Sequence, residues 1–576
     1  MRWGVAGLGA TDGLSAQSSD ASEADGRQAD QTRPLGVLAE LTRPVGPANE
    51  PASAGASTAL GGSPVLVQPP PVTARPAYSL LPAAGDGLRR LAWRHSYRLG
   101  LLLVLVVQSA LALRLVWSNT AFADEAEYLW YGHQEWRYWL HHGSPVPQHF
   151  LSGVPQIYPP LGALADSLDG LAGARLLSLA FMLGATALLY GTATRLFGGR
   201  AGLFGAAMFA AVGPTADMGA WATYDPMAIF LMALASWLVV RASRSRVSEV
   251  WLLLAAPVMV LADATKFATA LWSPIIAVLV VLTAPTGWML AVARGIRFVM
   301  YAVAIAAPAL IFVGGQFEVT AISASTTERA AGDVSPVSVL WNATPLVAAV
   351  LAVGLIGVVV AFRGGDRRTT LVCTVLVVAA LLAPASQAHD HTTVSQYKHV
   401  VYGLWFGAMA AGYALSKADA VNAAKGWRVG LATAIFTCLL GLGQASALYG
   451  FWPNSTRLLA AVERGLPAKG PMLMQGGDQM VTNYYLYHQG IKRDILTSYD
   501  YSPEVVATMI ENHQVVMVET DTGTGIPPGP IQESATGTPA GLEHFGYRQA
   551  ERIRWREPGG QTGWFTIWLL EHGRSA

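Results

Sequence analysis

The sequence predicts an α-helical polytopic membrane protein of about eleven transmembrane helices, followed by a small C-terminal α/β domain outside the membrane. Three observations predict it. The 576 residues are 52% hydrophobic and 13% charged, with a mean hydropathy of +0.36, against about 25% charged residues in a typical soluble domain. Charge is excluded from long stretches rather than thinned along the whole chain, and past residue 450 the long apolar stretches give way to short β-rich runs. The net charge of +1 gives no basic excess, so nucleic acid is not an expected partner.

Residues 1–88 are rich in Ala, Gly, Ser, Pro and Asp and show no sustained period. Such a composition buries too little apolar surface to offset its ordering entropy, so a disordered cytoplasmic tail is expected. A signal peptide is not, because its charged start would fall within about 30 residues of the N-terminus. Arg89, Arg90, Arg94 and Arg98 precede the first apolar stretch, and the positive-inside rule then puts Asp124 on the outer side.

A window of about 20 residues finds apolar spans near 99–118, 172–193, 201–217, 226–241, 250–266, 268–284, 298–315, 342–362, 369–385, 400–416 and 429–448. Basic groups agree with the resulting alternation: Arg195 and Arg200; Arg241, Arg244 and Arg246; Arg294 and Arg297; Arg363, Arg367 and Arg368; Lys417, Lys425 and Arg428. An odd count leaves the C-terminus outside. The membrane domain is thus 89–450, and 451–576 is an extracytoplasmic α/β domain. Strands are expected at Met472–Gln475, Val515–Glu519, Arg552–Trp555 and Phe565–Leu570, with an amphipathic helix at Ser502–Asn512. Cys373 and Cys438 both fall inside apolar spans and read as small core residues rather than a disulfide or a metal site.

The outer side gathers the polar groups. Asp124, Glu125 and Glu127 follow the first span, where carboxylates are costly unless they do chemistry, bind ions or pair with cations. The aromatic run from Tyr128 to His142 suits a helix lying in the interface plane. Tyr158-Pro159-Pro160 makes a rigid turn. Arg175, Asp225, Asp263 with Lys266, and His389-Asp390-His391 with Tyr397, Lys398 and His399 come from other spans but share that side. A carboxylate can deprotonate a hydroxyl acceptor, and cations can hold a phosphate and stabilise its departure.

Plainer readings accompany these. Arg175 could snorkel, Asp225 could cap its helix, and Asp263 and Lys266, three residues apart, could neutralise each other. His389 and His391 would share one face of an extended segment and, with Asp225, are the donors to hand for a metal. A divalent ion is accordingly the one cofactor with candidate ligands, and none is required.

Read in order, the Asp124-Glu125 pair, Tyr158-Pro-Pro-Leu161, Ala174-Arg175-Leu-Leu-Ser178-Leu179 and Tyr224-Asp225-Pro-Met-Ala228 resemble the membrane glycosyltransferases of the C-type fold. They are similar in particular to the family of protein O-mannosyltransferases and bacterial aminoarabinose transferases. The resemblance covers roughly 95–450. It implies a polyprenyl-phosphate-linked sugar donor used on the outer face of a membrane, a bacterial plasma membrane by composition. The acceptor would be a lipid, glycan or protein hydroxyl, and transfer would invert the sugar carbon in a single displacement.

By the same resemblance Asp124 is the general base and Glu125 assists in positioning. Arg175 faces the donor phosphate, Asp225 orients the donor or a metal ion, and Lys266 lies at a helix mouth. Tyr158 and Tyr397 would line the donor site. Lys398 stands where relatives of the aminoarabinose type carry an arginine. The alternatives are a lipid-linked polysaccharide polymerase or ligase, and a solute or lipid transporter.

Overall fold

The computed structural model describes residues 84–142, 151–311, 322–323, 331–418, 423–465, 469–523, 529–556 and 562–571. Most of the expected disordered tail, residues 1–83, lies outside the described residues. The described residues from Arg90 onward belong to one compact unit.

All eleven predicted spans fall on helices over their described residues; 312–315 of the seventh lie outside them. The helices are α1 (Ala84–Val116), α3 (Tyr158–Phe197), α4 (Gly199–Ala211) with α5 (Gly213–Met218), α6 (Tyr224–Ala242), α7 (Ser248–Thr265), α8 (Ser273–Thr283), α9 (Trp288–Ala309), α10 (Pro336–Arg363), α11 (Arg367–His389), α12 (Gln396–Lys417) and α13 (Ala423–Tyr449). Among the described residues, eight helices are long and apolar enough to cross a membrane. The other three predicted spans fall short for identifiable reasons. Extended backbone at Val212 (φ −77°, ψ 143°) and Pro214 split 201–217 into two helices. A 3-10 turn, Phe267–Trp272, precedes the short α8. Helix α12 begins with Gln, Tyr, Lys and His, and it is buried along almost its whole length against α4, α10 and α11. It is the central post of the bundle.

Between the first two spans, α2 (Ala123–His141) packs lengthwise on α3 and exposes Tyr138, Trp139 and Leu140 at its far end. The contact is close: a Cβ on Gly132 would sit 2.0 Å from the Pro159 carbonyl oxygen. Helix α3 breaks at Asp169 and Gly170, where Gly170 takes a positive φ of 59° that glycine adopts without strain. The break separates the turn of Tyr158 from the segment carrying Arg175.

The C-terminal region holds a five-stranded sheet in the order β2-β1-β3-β5-β4. Its strands are β1 (Met472–Met474), β2 (Ile495–Thr497), β3 (Met517–Gly523), β4 (Tyr547–Arg556) and β5 (Thr562–Leu570). β1 is parallel to β2 and β3, while β3–β5 and β5–β4 are antiparallel. Apolar side chains from alternate strand positions fill two cores, one around Met472, Met474 and Phe565, the other around Leu473, Val518 and Trp568. The amphipathic stretch forms α16 (Pro503–Glu511), and α14 (Thr456–Gly465) packs against β4 and β5. Helix α15 (Gly476–His488) packs on α2, and the Ala121 amide donates to the Tyr485 hydroxyl at 3.0 Å.

Candidate functional site

The first turn of α2 carries two adjacent carboxylates with different surroundings. Glu125 reaches back to the Phe122 amide (3.0 Å) and also accepts from the Ala222 amide (2.7 Å), which ties the start of α2 to the approach to α6. Arg175 closes on it with two parallel bonds, Nε to Oε1 at 2.8 Å and Nη2 to Oε2 at 2.7 Å. The remaining guanidinium donors go to the carbonyls of Val116 (2.7 Å), Asn119 (3.0 Å) and Thr120 (3.1 Å). Both side chains are buried, and Trp221 and Tyr449 cover the guanidinium at 6.0 and 5.4 Å.

All five donors of Arg175 are therefore engaged by the protein. Arg175, expected at the donor phosphate, and Glu125, expected to assist in positioning, form a bidentate pair that caps the end of α1 and fixes the entry to α2. Snorkelling is ruled out by this burial.

Asp124 points elsewhere. Its side chain retains 26% exposure and pairs with the Lys398 ammonium at the start of α12, itself buried. Phe122 and Tyr397 offer ring faces to that ammonium at 4.8 and 5.8 Å. Four residues on, one turn along the same helix face, the Tyr402 hydroxyl donates to Asp225 Oδ1 at 3.0 Å. Thr223 Oγ1 donates to Asp225 Oδ2 at 3.3 Å. Asp225 is fully buried and bonds to another helix, so it is more than a cap. The fields of Lys266, Lys398 and His399 act on it.

Lys266 is brought to this end by the segment that leads into α3. The Val154 amide bonds the Ala264 carbonyl (2.8 Å), the Phe267 amide bonds the Ser152 carbonyl (3.0 Å), and Lys266 Nζ donates to Ser152 Oγ at 2.6 Å. Asp263 instead accepts from Ser273 at 2.8 and 3.0 Å, so it and Lys266 do not neutralise each other. Tyr158 is buried beside Tyr224, which also packs edge-on against Tyr128 at 4.5 Å. Burial, reinforced by Asp124 and Glu127, pushes the Tyr128 hydroxyl well above its usual range. Tyr397 is buried against Phe451.

The structure thus gathers Asp124, Lys398, Tyr397, Asp225 and Lys266 around one end of the bundle. It does not assemble the metal reading. His389 ends α11, and His391 adopts a left-handed φ of 53° with its Nδ1 against the Val334 carbonyl. The pair does not share the face of an extended segment, and among the described residues the one histidine and carboxylate group able to hold an ion excludes both of them and Asp225. Tyr402 and Ser152 were missed from sequence. For Tyr402 the four-residue spacing from Lys398 was the available signal; for Ser152 there was none.

The profile of the dolichyl-phosphate-mannose-protein mannosyltransferase family matches residues 163–312. The structure of ArnT from Cupriavidus metallidurans in the apo state is similar with a TM-score of 0.53 at 13% identity, over 82% of this chain and 98% of that one. The same enzyme bound to undecaprenyl phosphate gives the same values. The apo Archaeoglobus fulgidus oligosaccharyltransferase matches with a TM-score of 0.50 at 13% identity, over 81% of this chain and 74% of that one. No curated protein matches the sequence. The fold is that of the C-type membrane glycosyltransferases.

Proposed function

We propose that the chain is a membrane glycosyltransferase that moves a sugar from a polyprenyl-phosphate donor to a hydroxyl acceptor at the outer face. The observation that carries the reading is the Asp124–Lys398 pair: a partly exposed carboxylate whose one ion-pair partner among the described residues is a buried ammonium. The fold supports it, since one structural neighbour was solved with undecaprenyl phosphate bound.

In this reading the donor phosphate competes for Lys398, and Asp124 is released as a base. The acceptor oxygen bonds to the anomeric carbon as the bond from that carbon to the phosphate oxygen breaks. The acceptor proton passes to Asp124, and the electron pair leaves on the phosphate, whose charge Lys398 and Lys266 offset. Attack opposite the leaving group inverts the sugar carbon. Asp225, locked by Tyr402, holds the facing wall of the site, while Arg175 and Glu125 act through position alone. The acceptor is a lipid, glycan or protein hydroxyl, and the C-terminal domain lies beside the loop helix that would meet it.

The test is transfer or slow hydrolysis of radiolabelled sugar from a panel of synthetic polyprenyl-phosphate sugars by the purified full chain, with the product anomer read by NMR. Asp124→Asn should lower turnover about 10²–10⁴-fold while the protein stays folded. Retention of the starting anomeric configuration, or undiminished turnover by this variant, would sink the mechanism.

A further inference from the structure

Away from the Asp124 site, three side chains from three separate elements converge on one oxygen. His133 comes from α2, Asp166 from the first segment of α3, and His488 from the last turn of α15 in the C-terminal region. The Nε2 atoms of His133 and His488 lie 2.7 and 2.8 Å from Asp166 Oδ2. The other oxygen, Oδ1, accepts from the Tyr484 hydroxyl at 2.6 Å.

We propose that His133, Asp166 and His488 form a zinc site that clips the C-terminal domain onto the interface helix. The donor atoms all lie within 4.8 Å of one another. Zinc bonds of about 2.0–2.1 Å in tetrahedral array set ligand atoms about 3.3 Å apart, so an opening of about half an ångström between each imidazole and the carboxylate admits the ion. Two imidazoles and one carboxylate are a donor set suited to zinc rather than to magnesium or calcium, which take oxygen.

Two further features fit. Tyr484 fixes the carboxylate from behind, as an outer partner of a metal ligand does. A shallow cavity of about 410 Å³, lined in part by His133, Trp136, Ser167 and Tyr487, opens beside the site. It gives the ion an entry path and the fourth coordination position a water. His133 and Asp166 are buried, and His488 retains 34% side-chain exposure, so the clip is completed by the one ligand that the C-terminal region supplies.

Full-length protein carrying a tag without histidine is purified in detergent, stripped with a chelator, and reloaded with zinc sulfate. Bound metal is counted by mass spectrometry, and cobalt substitution is read by its visible absorption. His488→Ala and His133→Ala are each expected to bind about one ion fewer than wild type. Both should lose the tetrahedral cobalt band and the rise in unfolding temperature that zinc gives the wild type. Tyr484→Phe keeps all three ligands and should weaken zinc about 10–100-fold. Because His488 is partly exposed, its variant unfolds at the temperature of metal-free wild type if the fold is intact. Wild type that binds no zinc, or equal zinc in wild type and both histidine variants, overturns the proposal and leaves a hydrogen-bonded cluster.

Discussion

Asp124 and Glu125 are neighbours in sequence and opposites in structure. Glu125 is buried and saturated: two amides and a bidentate guanidinium occupy it. Asp124 is partly exposed, and its one ion-pair partner among the described residues is Lys398. A site of this kind needs both. The saturated acid sets the backbone from which the unsaturated one projects, and a carboxylate with every lone pair spent can neither take a proton nor meet a ligand. The lesson is that the acid pair divides its labour by hydrogen-bond count.

The comparison is broken or sharpened by measurement, starting with the largest effect. Glu125→Gln leaves the Arg175 guanidinium buried without its counter-charge, and such a loss costs about 3–5 kcal/mol. Denaturant unfolding in detergent should show it, and the apolar double variant Glu125→Leu/Arg175→Met should recover only the part due to unpaired charge, since it leaves the Val116, Asn119 and Thr120 carbonyls and the Phe122 and Ala222 amides without these partners. Asp124→Asn also takes the counter-charge from a buried ammonium, but Lys398 keeps the ring faces of Phe122 and Tyr397, so turnover should fall as above while stability falls by less than in Glu125→Gln. Equal destabilisation by the two single variants would erase the distinction.

Smaller again is Tyr402→Phe, which removes one hydrogen bond to Asp225. It should raise KM for the donor by a factor set by about 1 kcal/mol, with the acceptor dependence of the rate unchanged.

A pH-dependent effect lies in the C-terminal region, where Asp478, Glu519 and Asp521 are buried together. Burial pushes Asp521 up to about 7, against a bond from Trp555 Nε1 at 2.7 Å. An unfolded Asp titrates near about 3.9, so the folded chain keeps this proton longer. The resulting stability is fully present below about pH 4 and is lost as pH rises to about 7. Asp521→Asn should flatten the fall in unfolding temperature of this region between those pH values; a slope unchanged from wild type would count against the assignment.

Much of this architecture was legible in the sequence because the signals were local. Each apolar run became helical over its described residues, 201–217 as two helices and 268–284 through a 3-10 turn, and four of the five strands fell on the expected runs. Strand β2 escaped because three residues, Ile495–Thr497, carry no period. Helix α15 escaped because it begins Gly-Gly-Asp and lacks an apolar stripe. Asp124, Asp225, Lys266 and Lys398 were found by type and position relative to the spans. The fate of Arg175 was not, since three of its partners are backbone carbonyls that no residue type announces. The meeting of His133 with His488 was equally hidden, being made by the docking of α15 on α2.

Successive residues on an α-helix project about 100° apart. With Glu125 anchored inward by four separate donors, the bearing of Asp124 about the α2 axis is settled before any substrate arrives. The Asp124 backbone has no independent angular freedom: to swing it, the bonds at Arg175, Phe122 and Ala222 would have to break together. In the proposed reaction, adaptation to a different acceptor therefore falls to the surfaces around this fixed point, such as the exposed Tyr138, Trp139 and Leu140 of the same helix, and an insertion of a single residue between Asp124 and Glu125 would turn the carboxylate out of register with Lys398 altogether.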